Sequence, residues 1–160
     1  PLGFGGFVAT ASETAGLLDG LTAIAAQAVA AILAIQRPDL DPRQKSNNSP
    51  VTAADHASEA AILKGLAALM PGVPVVSEEA TGGRPASVGS RFFVVDPLDG
   101  TREFLAGLDE YVVNIALIEN GAPTLGVVAA PTRGLIWRGA VGSGAIPFAF
   151  VSREVAAARR

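Results

Sequence analysis

With 160 residues, 49% of them apolar and only 17% charged, the chain is long enough for one domain with a real core and too apolar to be disordered. A net charge of −3 gives no electrostatic case for nucleic-acid binding, and the absence of cysteine excludes disulfides, zinc–thiolate sites and cysteine nucleophiles. That composition suits a reducing cytoplasm.

The opening "PLGFGGFVATASETAG", residues 1–16, has no period and reads as a frayed leader. No basic region precedes an apolar one, so no signal peptide is expected. From Leu17 to Ile35, the residues Leu17, Leu21, Ile24, Ala28, Ile32 and Ile35 recur at helical spacing, with Leu18, Ala25, Val29 and Leu33 beside them. Alanine dominates the stretch and Asp19, Thr22 and Gln27 interrupt it, so it reads as a buried helix and not as a transmembrane segment. Residues 37–50, "RPDLDPRQKSNNSP", read as a loop or short hairpin. "VTAADHASEAAILKGLAALM" then predicts a second helix, with Thr52 as N-cap and Asp55 as its capping-box partner. Ala57, Ala60, Ala61, Leu63, Leu66, Ala67 and Met70 are expected on its buried side.

"VPVVSEEA" predicts a short buried strand ending in two glutamates, and "TGGRPASVGS" a loop. "RFFVVD" predicts a second short strand, and "GTREFLAG" the start of a short helix. "YVVNIALIENGAPTLGVVAAP" is the clearest hairpin, two apolar strands joined at Asn120-Gly121. "GLIWRGAVGSGA" reads as one more strand with a glycine-rich exit, and "IPFAFVSREVAAARR" has no assigned role. His56, Tyr111 and Trp137 are expected to serve structure and packing. Two helices followed by several strands predict an α+β or layered α/β fold.

Two apolar strands stop at acidic residues: Val75-Val76 before Glu78 and Glu79, and Val94-Val95 before Asp96. Pro97 cannot extend a ladder, so a turn over Asp96-Pro97-Leu98-Asp99 is expected to aim both carboxylates at one point and expose the Leu98 carbonyl. With Glu78 added, three carboxylates would share a small volume. Two like charges ~4 Å apart repel by roughly 4 kcal/mol at an effective dielectric near 20, so such a cluster protonates or holds a cation. Oxygen-only ligands favour Mg²⁺ or Mn²⁺ over zinc. Gly100 and Thr101 begin the short helix and offer free N–H groups to phosphate. Asp-Pro and Asp-Gly are also ordinary turn pairs, paired glutamates ordinary surface, and Thr101 an ordinary cap. The residues alone leave a metal site and a plain acidic turn both open.

"DPLDGT", with "SEE" and "SPVTAAD" upstream of it, resembles the inositol-monophosphatase-like, lithium-sensitive, Mg²⁺-dependent phosphatases. "KSNNSPVTAAD", "DPLDGTREF" and "VVNIALIENGAPTLGVVAAP" are most similar to the 3′(2′),5′-bisphosphate nucleotidases of the CysQ type within that family. The resemblance covers about residues 17–146 and implies the N-terminal helix–sheet half of the family's fold, with residues 147–160 a tail outside it. It implies that Glu78, Asp96 and the Leu98 carbonyl hold a first Mg²⁺ and that Asp96 and Asp99 hold a second. Glu78 would also place a further metal and the attacking water. Gly100 and Thr101 would form the phosphate-binding turn, with the Thr101 hydroxyl in water activation. Glu78, Leu98, Asp99, Gly100 and Thr101 would thus face the substrate. Glu79, Thr52 and Asp55 fall on family positions, and helix capping remains the first reading of the last two.

The implied reaction removes the 3′-phosphate of adenosine 3′,5′-bisphosphate to give AMP and phosphate. A non-catalytic metal- and phosphate-binding remnant, or an inositol or sugar monophosphatase, are the alternatives. The resemblance implies a cytoplasmic protein, with peripheral attachment to the inner membrane's cytoplasmic face as a variant. Two departures matter. Asn47 stands where an aspartate that orients water is expected, and the Trp-Asp motif of the family's second half, whose aspartate is the remaining ligand of the second metal, has no counterpart after Thr101, Trp137 being followed by Arg138. The expectation is a truncated form, by truncation or frameshift. It would have an incomplete second metal site and an exposed apolar surface that drives self-association.

Overall fold

Thr10 caps the first helix through a reciprocal pair of bonds. Its hydroxyl accepts the Glu13 amide at 3.2 Å, and the Glu13 carboxylate accepts the Thr10 amide at 2.8 Å. The computed structural model describes residues 10–35, 42–44, 50–81 and 88–149. Helix α1 spans Ala11–Ala34, so it starts at Ala11 and not at the predicted Leu17. The apolar period begins late because Ala11 to Gly16 lie mostly in solvent, where a helix needs no greasy face. A two-residue ladder follows, strand β1 (Arg43–Gln44) antiparallel to β2 (Pro50–Val51), as the short-hairpin reading expects.

Helix α2 spans Ala53–Leu69 behind the expected capping box of Thr52 and Asp55. Then come β3 (Val75–Ser77), the four-residue helix α3 (Glu78–Thr81), β4 (Arg91–Asp99) and α4 (Thr101–Ala106). The last described elements are β5 (Val112–Glu119), β6 (Ala122–Ala130), β7 (Leu135–Ala140) and β8 (Gly144–Ala149). Strands β3 to β8 form one six-stranded sheet in chain order. The β3–β4 pair is parallel and the others are antiparallel. This mixed sheet with helices is the expected α+β arrangement. The β5–β6 turn is the predicted two-residue loop, with Asn120 at φ 52° and Gly121 at φ 81°. Both lie in the left-handed region that a type I′ hairpin needs. The glycine-rich exit after β7 is itself a turn, and β8 pairs back onto β7 through Ala140↔Gly144 and Gly139↔Ala145.

Both long helices lie on one face of the sheet. Leu21, Ile24, Ala25, Ala28, Val29 and Ile32 of α1 and Ile62 and Leu66 of α2 meet Phe93, Val95, Val113, Ile115, Leu117, Val127 and Ile136 in one core. Alternation along each strand puts these residues on the helix side. By length and a mean hydropathy of 1.8, α1 could cross a membrane. In this fold its apolar stripe is spent on the sheet, and Arg138 of β7 pairs with Asp19 on its flank. The buried stripe of α2 differs from expectation. Ala60 and Ala67 are exposed, while Ala54, Asp55, Ser58, Ile62 and Leu66 are buried. An alanine-rich helix has a weak apolar face, so two polar residues with partners decide which side turns inward.

Candidate metal and phosphate site

The acidic segment continues β4 where a turn at Pro97 was expected. Asp96 pairs with Asn114, and the next registered pair is Asp99 with Val112, so the β4 side carries extra chain across an irregular step. That is a bulge, and Pro97 sits inside it, where a missing N–H leaves no ladder bond unmade. The backbone is held from behind by buried Ser58 of α2, whose hydroxyl donates to the Pro97 carbonyl at 2.7 Å. The chain turns only at Gly100, with φ at 96°. A Cβ there would sit 2.6 Å from the Glu110 carbonyl oxygen, so only glycine fits.

Asp96 Oδ1 is buried and has no hydrogen-bond partner. The Asp96 carboxyl is pushed up to about 7, first by burial, then by the charges of Glu78 and Asp99 and a hydrogen bond with Glu78; the Leu98 N–H pulls the other way. The structure therefore brings Glu78, the first residue of α3, against Asp96 from β4. Asp99 stands further out, where its Oδ2 accepts from Asn114 Nδ2 at 3.3 Å. Among the described residues, no group of three or more carboxylates or histidines is gathered closely enough to hold a metal by itself. The expected three-carboxylate cluster is thus open, with a tight pair and one outlier.

The pair still fits a hard cation. A buried carboxylate oxygen without a donor is costly, and a bound cation would satisfy it. Every nearby candidate ligand is oxygen, which suits Mg²⁺. The Leu98 carbonyl is less free than expected, since it accepts the Thr101 hydroxyl at 3.1 Å. A carbonyl has a second lone pair for another contact.

Thr101 also reaches Asp55 Oδ1 at 3.0 Å. Asp55 is fully buried, and its other oxygen accepts the Thr52 amide at 2.8 Å and the Thr52 hydroxyl at 2.7 Å. The capping reading of Thr52 and Asp55 is correct and incomplete, because the same carboxylate orients the Thr101 hydroxyl. Glu79 follows Glu78 in α3 and is half-buried. Asn47 lies outside the described residues. His56 is exposed at the start of α2, and Tyr111 is buried edge-on against Phe104, with ring centroids 5.1 Å apart. Sequence reasoning missed Ser58, Glu59 and Asn114. For the first two a signal existed, since they lie three and four residues after Asp55 on one helix face.

The chain matches the inositol monophosphatase family over residues 13–155, wider at both ends than the expected 17–146. It is 43% identical over 129 residues to the 3′(2′),5′-bisphosphate nucleotidase CysQ of Escherichia coli K12, covering 79% of this chain and 52% of that protein. Its fold is similar to the crystal structure of CysQ from Bacteroides thetaiotaomicron, with TM-score 0.67, 28% identity, and 86% of this chain on 52% of that one. The extragenic suppressor protein suhB from Bartonella henselae is also similar, with TM-score 0.74, 25% identity, and 86% of this chain on 54% of that one. The chain spans about half the length of these relatives.

Proposed function

The chain belongs to the inositol monophosphatase family, and we propose that it carries the metal- and phosphate-handling part of a Mg²⁺-dependent phosphatase. In this reading the enzyme removes the 3′-phosphate of adenosine 3′,5′-bisphosphate and releases AMP. The observation that carries the reading is the buried, donor-less Oδ1 of Asp96 beside Glu78. The nucleotide substrate is favoured by the similarity to 3′(2′),5′-bisphosphate nucleotidases.

Mg²⁺ bound by Glu78, Asp96 and the Leu98 carbonyl, with Asp96 and Asp99 toward a second ion, would supply positive charge for the phosphoryl and leaving oxygens. The remaining work falls to the chain's own residues. Water adds to phosphorus, the P–O3′ bond breaks, and the 3′-oxygen takes a proton. The Thr101 hydroxyl has one proton and two acceptors within reach, Asp55 Oδ1 and the Leu98 carbonyl. With its proton directed at either, its oxygen keeps lone pairs that can receive a water's hydrogen. Asp55 thus orients a hydroxyl, and the capping box orients Asp55. Gly100 and Thr101 open α4, whose first N–H groups have no partner within the helix and face the phosphate in this reading.

Phosphate release by the purified chain tests the proposal, with adenosine 3′,5′-bisphosphate and inositol 1-phosphate each offered with Mg²⁺, with and without lithium. The expected result is Mg²⁺-dependent, lithium-sensitive release from the nucleotide alone. Thr101→Ala is expected to lower the rate by roughly 10²-fold, the scale of losing a group that handles the reacting proton. Release from inositol 1-phosphate alone would instead make the substrate a sugar phosphate. A second reading, binding without turnover, is favoured by one observation. Among the described residues, no group of three or more carboxylates or histidines is gathered closely enough to hold a metal by itself. Silence on both substrates with Mn²⁺ binding intact would select it.

A further inference from the structure

Glu78 belongs to an element that cannot aim itself. Helix α3 has four residues, and a helix that short gains too little from its own hydrogen bonding to fix a direction. Pairing of Ser77 with Val95 fixes the chain up to the end of β3. Past that point, a residue of another element holds the corner. Glu59 of α2 accepts two hydrogen bonds on the same oxygen, Oε1, from the Ser77 hydroxyl and from the Ala80 amide at 2.9 Å. These bonds bracket Glu78 and Glu79, one on each side.

The placement of Glu59 on α2 adds weight. Asp55, Ser58 and Glu59 lie at i, i+3 and i+4, on one helix face. Asp55 takes the Thr101 hydroxyl, Ser58 gives its hydroxyl to the Pro97 carbonyl, and Glu59 takes Ser77 and Ala80. One face of one helix therefore touches each of the three segments that make up the site. That helix is itself anchored by its capping box and by Ile62 and Leu66 in the core. A carboxylate beside Glu78 gains nothing from a like charge there, so Coulomb attraction to Glu78 does not explain Glu59. Holding the corner does.

We propose that Glu59 is the positioning residue for Glu78: through Ser77 and Ala80 it fixes the β3–α3 corner that aims Glu78 at Asp96. The metal-binding consequence rests on the functional reading above, while the corner itself does not. Mn²⁺ affinity, measured by titration on the folded chain, is the first test. Glu59→Ala is expected to weaken binding about tenfold, the scale of losing an outer-shell partner, and Glu59→Gln, which keeps an acceptor oxygen, to restore it to within about twofold. In a Glu78→Gln background, Glu59→Ala should change nothing further, because its effect passes through Glu78. An equal loss in both backgrounds, or no loss in either, overturns the inference. Amide hydrogen exchange on the metal-free chain is the second test. Glu59→Ala should speed exchange at Ala80 while the Ile62 and Leu66 amides stay protected. Unchanged exchange at Ala80 overturns the inference whether or not metal binds. If the unsubstituted chain fails to bind Mn²⁺, the functional reading falls, and Ala80 exchange still decides for or against the corner.

Discussion

Asp96 keeps one oxygen buried without a donor, and burial followed by Glu78 and Asp99 raises its carboxyl from 3.8 to about 7. A raised carboxyl means the folded, metal-free chain holds a proton that the unfolded chain gives up. Its contribution to stability is full below about pH 4 and is lost as pH climbs toward 7. Asp96→Asn removes the ionisation. The metal-free variant should melt at a higher temperature than the parent at pH 8, by roughly 2–4 °C, the response of a domain this size to ~1 kcal/mol after screening by solvent. The two should converge near pH 4. The same variant should lose Mn²⁺ binding, so added metal stabilises only the parent. Melting curves across pH, with and without Mn²⁺, check both halves; equal melting at pH 8 would deny the strain at Asp96. Asp96, Asp99 and Thr101 were legible in the sequence because they stand within one short run. The partners of Ser58, Glu59 and Asn114 were not, because they lie 39, 18 to 21 and 15 residues away; the spacing of Ser58 and Glu59 from Asp55 marks a shared helix face but not what that face meets. Contacts at that range follow from the fold and not from any local pattern.

At the scale of elements, the legible features are those with local chemistry. The Thr52–Asp55 capping box and the Asn120–Gly121 turn need nothing beyond their own neighbours. The buried side of α2 was misread because many alanines blur its face and because Asp55 and Ser58 turn inward to meet α4 and β4. The Pro97 segment was misread because a bulge tolerates proline as well as a turn does. The true turn at Gly100 carries a prediction. Gly100→Ala meets the Glu110 carbonyl oxygen at 2.6 Å and a φ of 96°, so it combines a backbone clash with left-handed strain. Gly121→Ala has a φ of 81° and open space around the new methyl. Strain alone costs about 1–3 kcal/mol, and the clash should put Gly100→Ala clearly above Gly121→Ala. Denaturant midpoints with unchanged slope measure the two losses. Equal losses would mean the β4–α4 corner yields easily at Gly100 and that glycine is not required there.

Across the whole molecule, the helices cover one face of the sheet and leave the other to solvent within the described residues. Cross-strand register lines up Asp96, Asn114, Val128 and Trp137 in one row of that second face, and Val94, Ala116, Gly126 and Gly139 in the next. Val94 is 41% exposed and Val128 38%, with Phe92, Ile118 and Trp137 half-buried on the same side. Two rows of a central sheet are therefore uncovered and largely apolar, with Asp96 and Asn114 the polar members of the first. Sequence alternation alone could not show this, because buried and uncovered faces of these strands are both apolar. A contiguous exposed patch of this kind drives association. The chain is expected to associate as concentration rises, and the double variant Val94→Lys, Val128→Lys to remain monomeric, since two ammonium groups cannot be buried unpaired. Sedimentation velocity over a wide concentration range reads the difference. Both positions are exposed and lie outside the core that holds the helices, so the double variant should keep the parent's helix content and cooperative melt. A parent chain that stays monomeric throughout would show that the second face is too small or too interrupted by Asp96 and Asn114 to act as a sticky surface.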